Sequence, residues 1–171
     1  MSNSKRHLPV TLVLLFDRDK DQILLGLKKR GFGKNKWNGF GGKLVPGETV
    51  LQAAMREMEE ESGVLVEESD MIKCALLKLE NQNEVLEIHV FKAYNWRGNP
   101  IETEEMAPKW FSTKSIPYED MWQEIRIWLP QVLAGKAIIF HALFETNTPE
   151  LMVDDNWAVM TDYELEVVDF I

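Results

Sequence analysis

Apolar positions along this chain fall into short runs separated by polar turns. Residues 10–16 and Gln22–Lys28 are leucine-rich or β-branched around the polar DRDKD at 17–21, which predicts an opening hairpin. A glycine-bearing loop is expected over 29–42, where Gly39, Gly41 and Gly42 let backbone N–H groups approach a ligand just ahead of a helix N-terminus. That helix is expected over Val50–Ser62. Residues 73–79 and 86–94 form a second apolar pair around a polar turn at 80–84, and 109–112 is a short strand. Met121, Trp122, Ile125, Trp128, Leu129 and Val132 recur at helical spacing, which predicts a second helix over 118–133 with a kink or early stop at Pro130. Closing strands are expected at 138–144 and 163–170, around the polar segment 146–156. The order implies one α+β domain over 1–171, an α/β/α sandwich on a mixed sheet.

Composition narrows the class. The chain has 171 residues, 45% of them hydrophobic and 27% charged, within the range of globular proteins. Its net charge of −9 argues against duplex nucleic acid as a partner. Cys74 is the single cysteine and lies in an apolar stretch, which suggests a buried thiol and a reducing compartment, so a cytoplasmic location is expected. The run at 10–16 is followed at once by charged residues with no small-residue cleavage site, so it is read as a strand rather than a signal peptide. No apolar run approaches the roughly 20 residues needed to span a bilayer. His7, His89 and His141 show no zinc-ligand spacing.

The segment 42–64, GKLVPGETVLQAAMREMEEESGV, carries the chemistry. On a helix over Val50–Ser62, Glu57, Glu60 and Glu61 stand at i, i+3 and i+4 and share one face. Three carboxylates so placed repel one another unless something cationic sits among them, and a hard divalent metal ion is the natural candidate. A charge run is ordinarily just a solvated helix face. Here Gly42, Glu48, Arg56 and Gly63 stand in register with the glutamates, and the pattern resembles the Nudix box at every fixed position.

That resemblance implies the Nudix fold, with 42–64 as a loop, helix and loop, and hydrolysis of a nucleoside diphosphate linked to another group. It places Gly42, Glu57, Glu60 and Glu61 at Mg²⁺, with Mn²⁺ as the alternative. A further carboxylate, as base or additional ligand, is expected from Glu102, Glu104 or Glu105, with Glu105 matching best. Arg56 and Glu48 are expected to orient those groups, and Lys43 to meet phosphate.

Outside the box, LLGLKKRGFGKNKWNGFGGK, IHVF, EEMAPKWF and IPYEDMW resemble the 8-oxo-dGTP diphosphatases of mammalian type, the oxidised-purine nucleoside triphosphatase branch. This second resemblance covers residues 10–139. It implies release of a nucleoside monophosphate and pyrophosphate in nucleotide-pool sanitation. It carries over a base pocket of Asn38 and Trp122, an apolar wall of Leu77, Leu79 and Leu86, and Thr11, Lys28 and Gly41 facing the substrate. The branch has adjacent aspartates after the tryptophan, one of them protonated, whereas this chain has Gln123-Glu124-Ile125. Glu124 can still accept a hydrogen bond from a base and Ile125 cannot, which shifts the expected preference or requires a substitute group. The segment 143–157 is also longer than in the branch. The partners implied are a small nucleotide and no membrane, with a monomer expected and an oligomer as the alternative. Competing readings are a Nudix enzyme acting on a dinucleotide, nucleotide sugar or capped RNA, and a non-catalytic nucleotide-binding module.

Overall fold

A computed structural model describes residues 4–153 and 158–171. Its core is a mixed sheet of β1 (Arg6–Asp17), β2 (Gln22–Lys28), β3 (Trp37–Asn38), β4 (Ile72–Glu80), β5 (Glu84–Ala93), β6 (Met106–Ser112), β7 (Ala137–Thr146) and β8 (Ala158–Val168). The strand order is β3-β2-β1-β5-β4-β7-β8, with β6 paired to the other side of β2. β1 runs parallel to β5 and β4 parallel to β7, and the other pairings are antiparallel.

Helix α1 (Val50–Ser62) packs on one face and α2 (Ile125–Leu133) on the other, as expected of an α/β/α sandwich. The central strand β1 explains why. Its residues alternate between the two cores, with Val13 and Leu15 on the α1 side and Leu12, Leu14 and Phe16 on the α2 side. A strand buried on both faces reads as a continuous apolar run, which is the pattern at 10–16. Among the described residues, no helix is long and apolar enough to cross a membrane.

Several boundaries differ from those read in the sequence. The loop expected over 29–42 contains β3, because Trp37 and Asn38 pair with Leu27 and Gly26. β6 begins at Met106, and β8 begins at Ala158 rather than at residue 163. The helix expected over 118–133 is shorter: Tyr118–Asp120 is a 3-10 turn, Trp122 is irregular, and α2 starts at Ile125. Met121 and Trp122 match helical periodicity because they join the same core, not because they are helical. α2 runs through Pro130 to Leu133, so the expected stop does not occur. The polar segment expected over 146–156, and the longer stretch 143–157, lie partly outside the described residues, at 154–157.

Candidate active site

Helix α1 is well delimited at both ends. Thr49 caps it by accepting from the Gln52 N–H, while the Gln52 side chain accepts from the Thr49 N–H, a capping box. Gly63 closes it at φ 72°. A side chain at Gly63 would take on a left-handed backbone and meet Ile101 as well.

Arg56 provides the positive charge that the glutamate face requires. Its Nε and Nη2 donate to the two oxygens of Glu48 at 2.6 and 2.9 Å. Nη1 donates to Glu57 at 2.8 Å and to Glu60 at 3.1 Å, and Nη2 also reaches the Lys43 carbonyl at 3.2 Å. The guanidinium holds the Glu48 carboxyl down at about 2 and is itself raised by that pairing. Glu57 behaves differently, because burial raises its carboxyl despite Arg56.

Glu61 is the buried member, 3% exposed. Its Oε1 accepts from the Gly41 N–H at 2.8 Å, and Lys28 Nζ lies 3.6 Å from Oε2. Burial outweighs both and pushes the carboxyl up to about 7, with Glu57 and Glu105 adding to the rise. Lys28 also pairs with Glu105 at 3.4 Å, and Arg30 donates to Glu105 at 3.2 Å. The Arg30 hydrogen bond, with Lys28, holds Glu105 below the usual carboxylate range. Lys29 ties Glu102 at 2.7 Å, and Arg30 lies 3.5 Å from Glu104.

The glycines allow this approach. A Cβ at Gly41 would stand 1.8 Å from the Thr11 carbonyl oxygen, and one at Gly42 would stand 2.7 Å from Glu57 Oε1. The Gly42 carbonyl accepts from the Thr11 N–H at 2.9 Å, which ties the loop to β1.

The donors Glu57, Glu60, Glu61 and Glu105 are all hard oxygens, the type that Mg²⁺ and Mn²⁺ prefer, and the buried Glu61 is short of compensating charge. Among the described residues, no three carboxylate, histidine or cysteine side chains stand together as a ready ligand set. Arg56 draws Glu57 and Glu60 one way while Lys28 draws Glu61 and Glu105 another, so an entering cation competes with these side chains for the same oxygens.

Two concavities meet here. One is a mainly apolar cavity of about 170 Å³ on the α2 side of the sheet. The other is an open cleft of about 790 Å³ containing Lys43, Glu57, Glu60 and Glu105. Both include Lys28, Gly41, Gly42 and Glu61. The cavity gathers Thr11, Asn38, Leu77, Leu79, Leu86, Trp122 and Glu124, the residues expected to face the base. Asn38 Oδ1 already accepts from the Gly39 N–H at 2.9 Å. Glu124 is buried where the chain enters α2, and burial pushes its carboxyl up to about 7 against the nearby Lys36. Ile125 lines the cavity beside it.

Sequence reasoning missed part of this wall. Phe32 stacks on Trp122 with centroids 4.8 Å apart, and Lys36 Nζ lies 5.0 Å from the Trp122 ring. Leu151, Met152 and Ala158 close another side. They are held there by the Leu151 N–H donating to Glu84 at 2.9 Å and by Gln123 Nε2 donating to the Ala158 carbonyl at 2.9 Å. The run RGFGKNKW carries a signal in its aromatic between glycines. Leu151 and Ala158 carry none, because the contacts that place them, to Glu84 and Gln123, are long-range.

Comparison with known proteins agrees with this geometry. The NUDIX domain model matches residues 5–132. An oxidized purine nucleoside triphosphate hydrolase of Danio rerio is 42% identical over 136 residues, 80% of this chain and 86% of that protein. The Mus musculus protein of the same description is 39% identical over 145 residues, 85% of this chain and 90% of its own length. In fold, a MutT protein from Bacillus halodurans superposes with a TM-score of 0.72 at 22% identity, covering 93% of this chain and 97% of that one. With the box glutamates gathered along α1 and its flanking loops and the family model spanning most of its length, the chain belongs to the Nudix family and is a Nudix hydrolase.

Proposed function

We propose that this chain hydrolyses a purine nucleoside triphosphate, with an oxidised purine such as 8-oxo-dGTP as first substrate, to the monophosphate and pyrophosphate, and so cleans the nucleotide pool. The observation that carries the reading is the junction of the two concavities. An apolar cavity sized for a base opens at Lys28, Gly41, Gly42 and Glu61 onto a carboxylate-lined cleft suited to a phosphate chain. The Danio rerio and Mus musculus relatives support the substrate class by their descriptions.

In this reading Glu57, Glu60, Glu61 and Glu105 hold Mg²⁺, with Mn²⁺ able to replace it, and Gly42 offers its carbonyl. When bound, the ion supplies positive charge against the phosphate oxygens and acidifies a water. Arg56 and Glu48 keep α1 and the loop in register, so the carboxylates converge without collapsing on one another. Lys28 and Lys43 offer charge to the phosphates, and Thr11 faces the base cavity. Trp122, braced by Phe32, offers its ring to the base, and Asn38 and Glu124 offer polar atoms to its edge. The protein works as a cytoplasmic monomer built from one domain.

A panel of oxidised, methylated and ordinary nucleoside triphosphates, assayed for pyrophosphate release with Mg²⁺ and with Mn²⁺, tests this. Fastest turnover is expected on an oxidised purine. No turnover on any nucleotide in the panel removes the reading.

A further inference from the structure

A residue in the wall of the cavity that contains Glu124 carries a donor without an acceptor among the described residues. Trp128, on α2, is 1% exposed and lines the cavity. Its Nε1–H is buried with no hydrogen-bond partner among the described residues. A buried indole N–H normally finds a partner, and folds seldom leave one unmet. The reason lies one helical turn back. Ile125 occupies the i−3 position on the same face, also lines the cavity, and has no polar atom to offer. The Glu124 carbonyl is already accepting from the Ile127 and Trp128 backbone N–H groups. Leu77, Leu79, Leu86 and Phe144, which line the same cavity, offer nothing either.

We propose that Trp128 is a specificity-determining residue, whose Nε1–H donates to the carbonyl oxygen of a 6-oxopurine in the cavity and so selects such nucleotides over 6-aminopurine nucleotides. This rests on the purine reading of the site. A 6-oxopurine presents an acceptor at position 6 beside an N–H, whereas a 6-aminopurine presents a donor beside an unprotonated ring nitrogen. The first pattern gives Trp128 its acceptor and Glu124 a donor. The second sets an N–H against an N–H. A carboxyl group changes role with its proton, so Glu124 alone discriminates weakly; an indole nitrogen is donor-only and holds one sign. A site built to bond one polar group rejects the analogue that leaves its own group unpaired. In this chain the substrate completes the polar pairing that Ile125 does not.

Indole ¹⁵N–¹H spectra of the wild-type protein, titrated with guanosine monophosphate and then with adenosine monophosphate, decide the matter. The expected result is a downfield shift of the Trp128 signal with the guanine nucleotide and none with the adenine nucleotide. In parallel, Trp128→Phe keeps an aromatic ring and removes the N–H. It should reduce the ratio of kcat/KM for 6-oxopurine over 6-aminopurine triphosphates by about ten-fold. If Trp122 responds to guanosine monophosphate while Trp128 does not, or if Trp128→Phe leaves that ratio unchanged, the inference is overturned and the purine reading stands. If neither indole responds and no nucleotide is turned over, both fall together. The wild-type spectra remain decisive even where Trp128→Phe folds poorly.

Discussion

The carboxylate cleft and the apolar cavity share a boundary at Lys28, Gly41, Gly42 and Glu61, yet they are built in opposite ways. In the cleft, one helix and the loop before it supply Gly41, Gly42, Lys43, Glu57, Glu60 and Glu61, and the segments at 28–32 and 103–105 face them. Arg56 reaches Glu48, Glu57, Glu60 and the Lys43 carbonyl, all within thirteen positions of itself. The cavity draws on β1, β3, β4, β5, α2 and the connections around them, and its polar residues Thr11, Asn38 and Glu124 come from separate segments. Charge in the cleft is plentiful and mostly paired, with the buried Glu61 as the exception. In the cavity each polar group is nearly isolated. The reaction chemistry here has a local nucleus in one helix and its loop, completed by Lys28 and Glu105, whereas substrate choice is spread over the fold and sensitive to single positions such as Ile125.

The largest effect that would break this comparison is expected at the shared boundary. Gly41→Ala puts a Cβ 1.8 Å from the Thr11 carbonyl oxygen, so β1 and the loop must part. A loss on the order of 4 kcal/mol is expected by denaturant unfolding, at the upper end for single substitutions. A normal midpoint would show that the loop can move freely against β1.

Next is Glu61→Gln, which keeps the shape and removes the charge. Turnover should fall by roughly 10³-fold, equivalent to several kcal/mol of lost charge stabilisation. The melting temperature should hold or rise, because a carboxyl that burial pushes up to about 7 is costly to ionise. An unchanged rate would take Glu61 out of the reaction.

The cavity is tested by pH. Glu124 titrates at about 7 in the fold, above the ordinary carboxylate value, so the folded state favours its protonated form. Its contribution is complete below about pH 4.5, declines as pH rises, and is gone above about 7. Relative to wild type, Glu124→Gln should therefore gain stability between pH 4.5 and 7.5, by up to about 3 kcal/mol. Subtracting the two denaturation curves isolates Glu124 from Glu61, which titrates in the same window. A difference flat in pH would mean that Glu124 is hydrated.

The smallest expected effect is at Gln123, whose side chain bonds the Ala158 carbonyl and accepts from the Met160 N–H at 3.4 Å. Gln123→Ala should cost about 1 kcal/mol at this exposed pair. It should raise KM for the preferred nucleotide while leaving kcat nearly unchanged, because it loosens the wall near the base and not the cleft. A change confined to kcat would blur the division between the two regions.

Much of this organisation was legible in the residues. The pairing of 10–16 with 22–28, the α1 boundaries and the glutamate face follow from periodicity, capping residues and glycine placement, which act over a few positions. Asn38, Leu77, Leu86, Trp122 and Glu124 were grouped by resemblance alone, and all five line one cavity. The extent of α2 was misread because residues 118–124 share its core without sharing its backbone. Phe32 behind Trp122, Lys36 above it and Leu151 at the wall could not be read, since each meets its partner from more than twenty positions away.

By itself the sequence determined where the charged helix begins and ends, which carboxylates share its face and which arginine stands among them, because those relations depend on helical spacing alone. Only the tertiary structure decided that Glu61 is buried while Glu60 is exposed, that Arg56 and Lys28 divide the carboxylates between them, and that the Trp128 N–H lacks a partner among the described residues. Burial and hydrogen-bond pairing depend on what distant segments bring to the same place. That dependence leaves the reaction readable along the chain and the choice of base readable only in the fold.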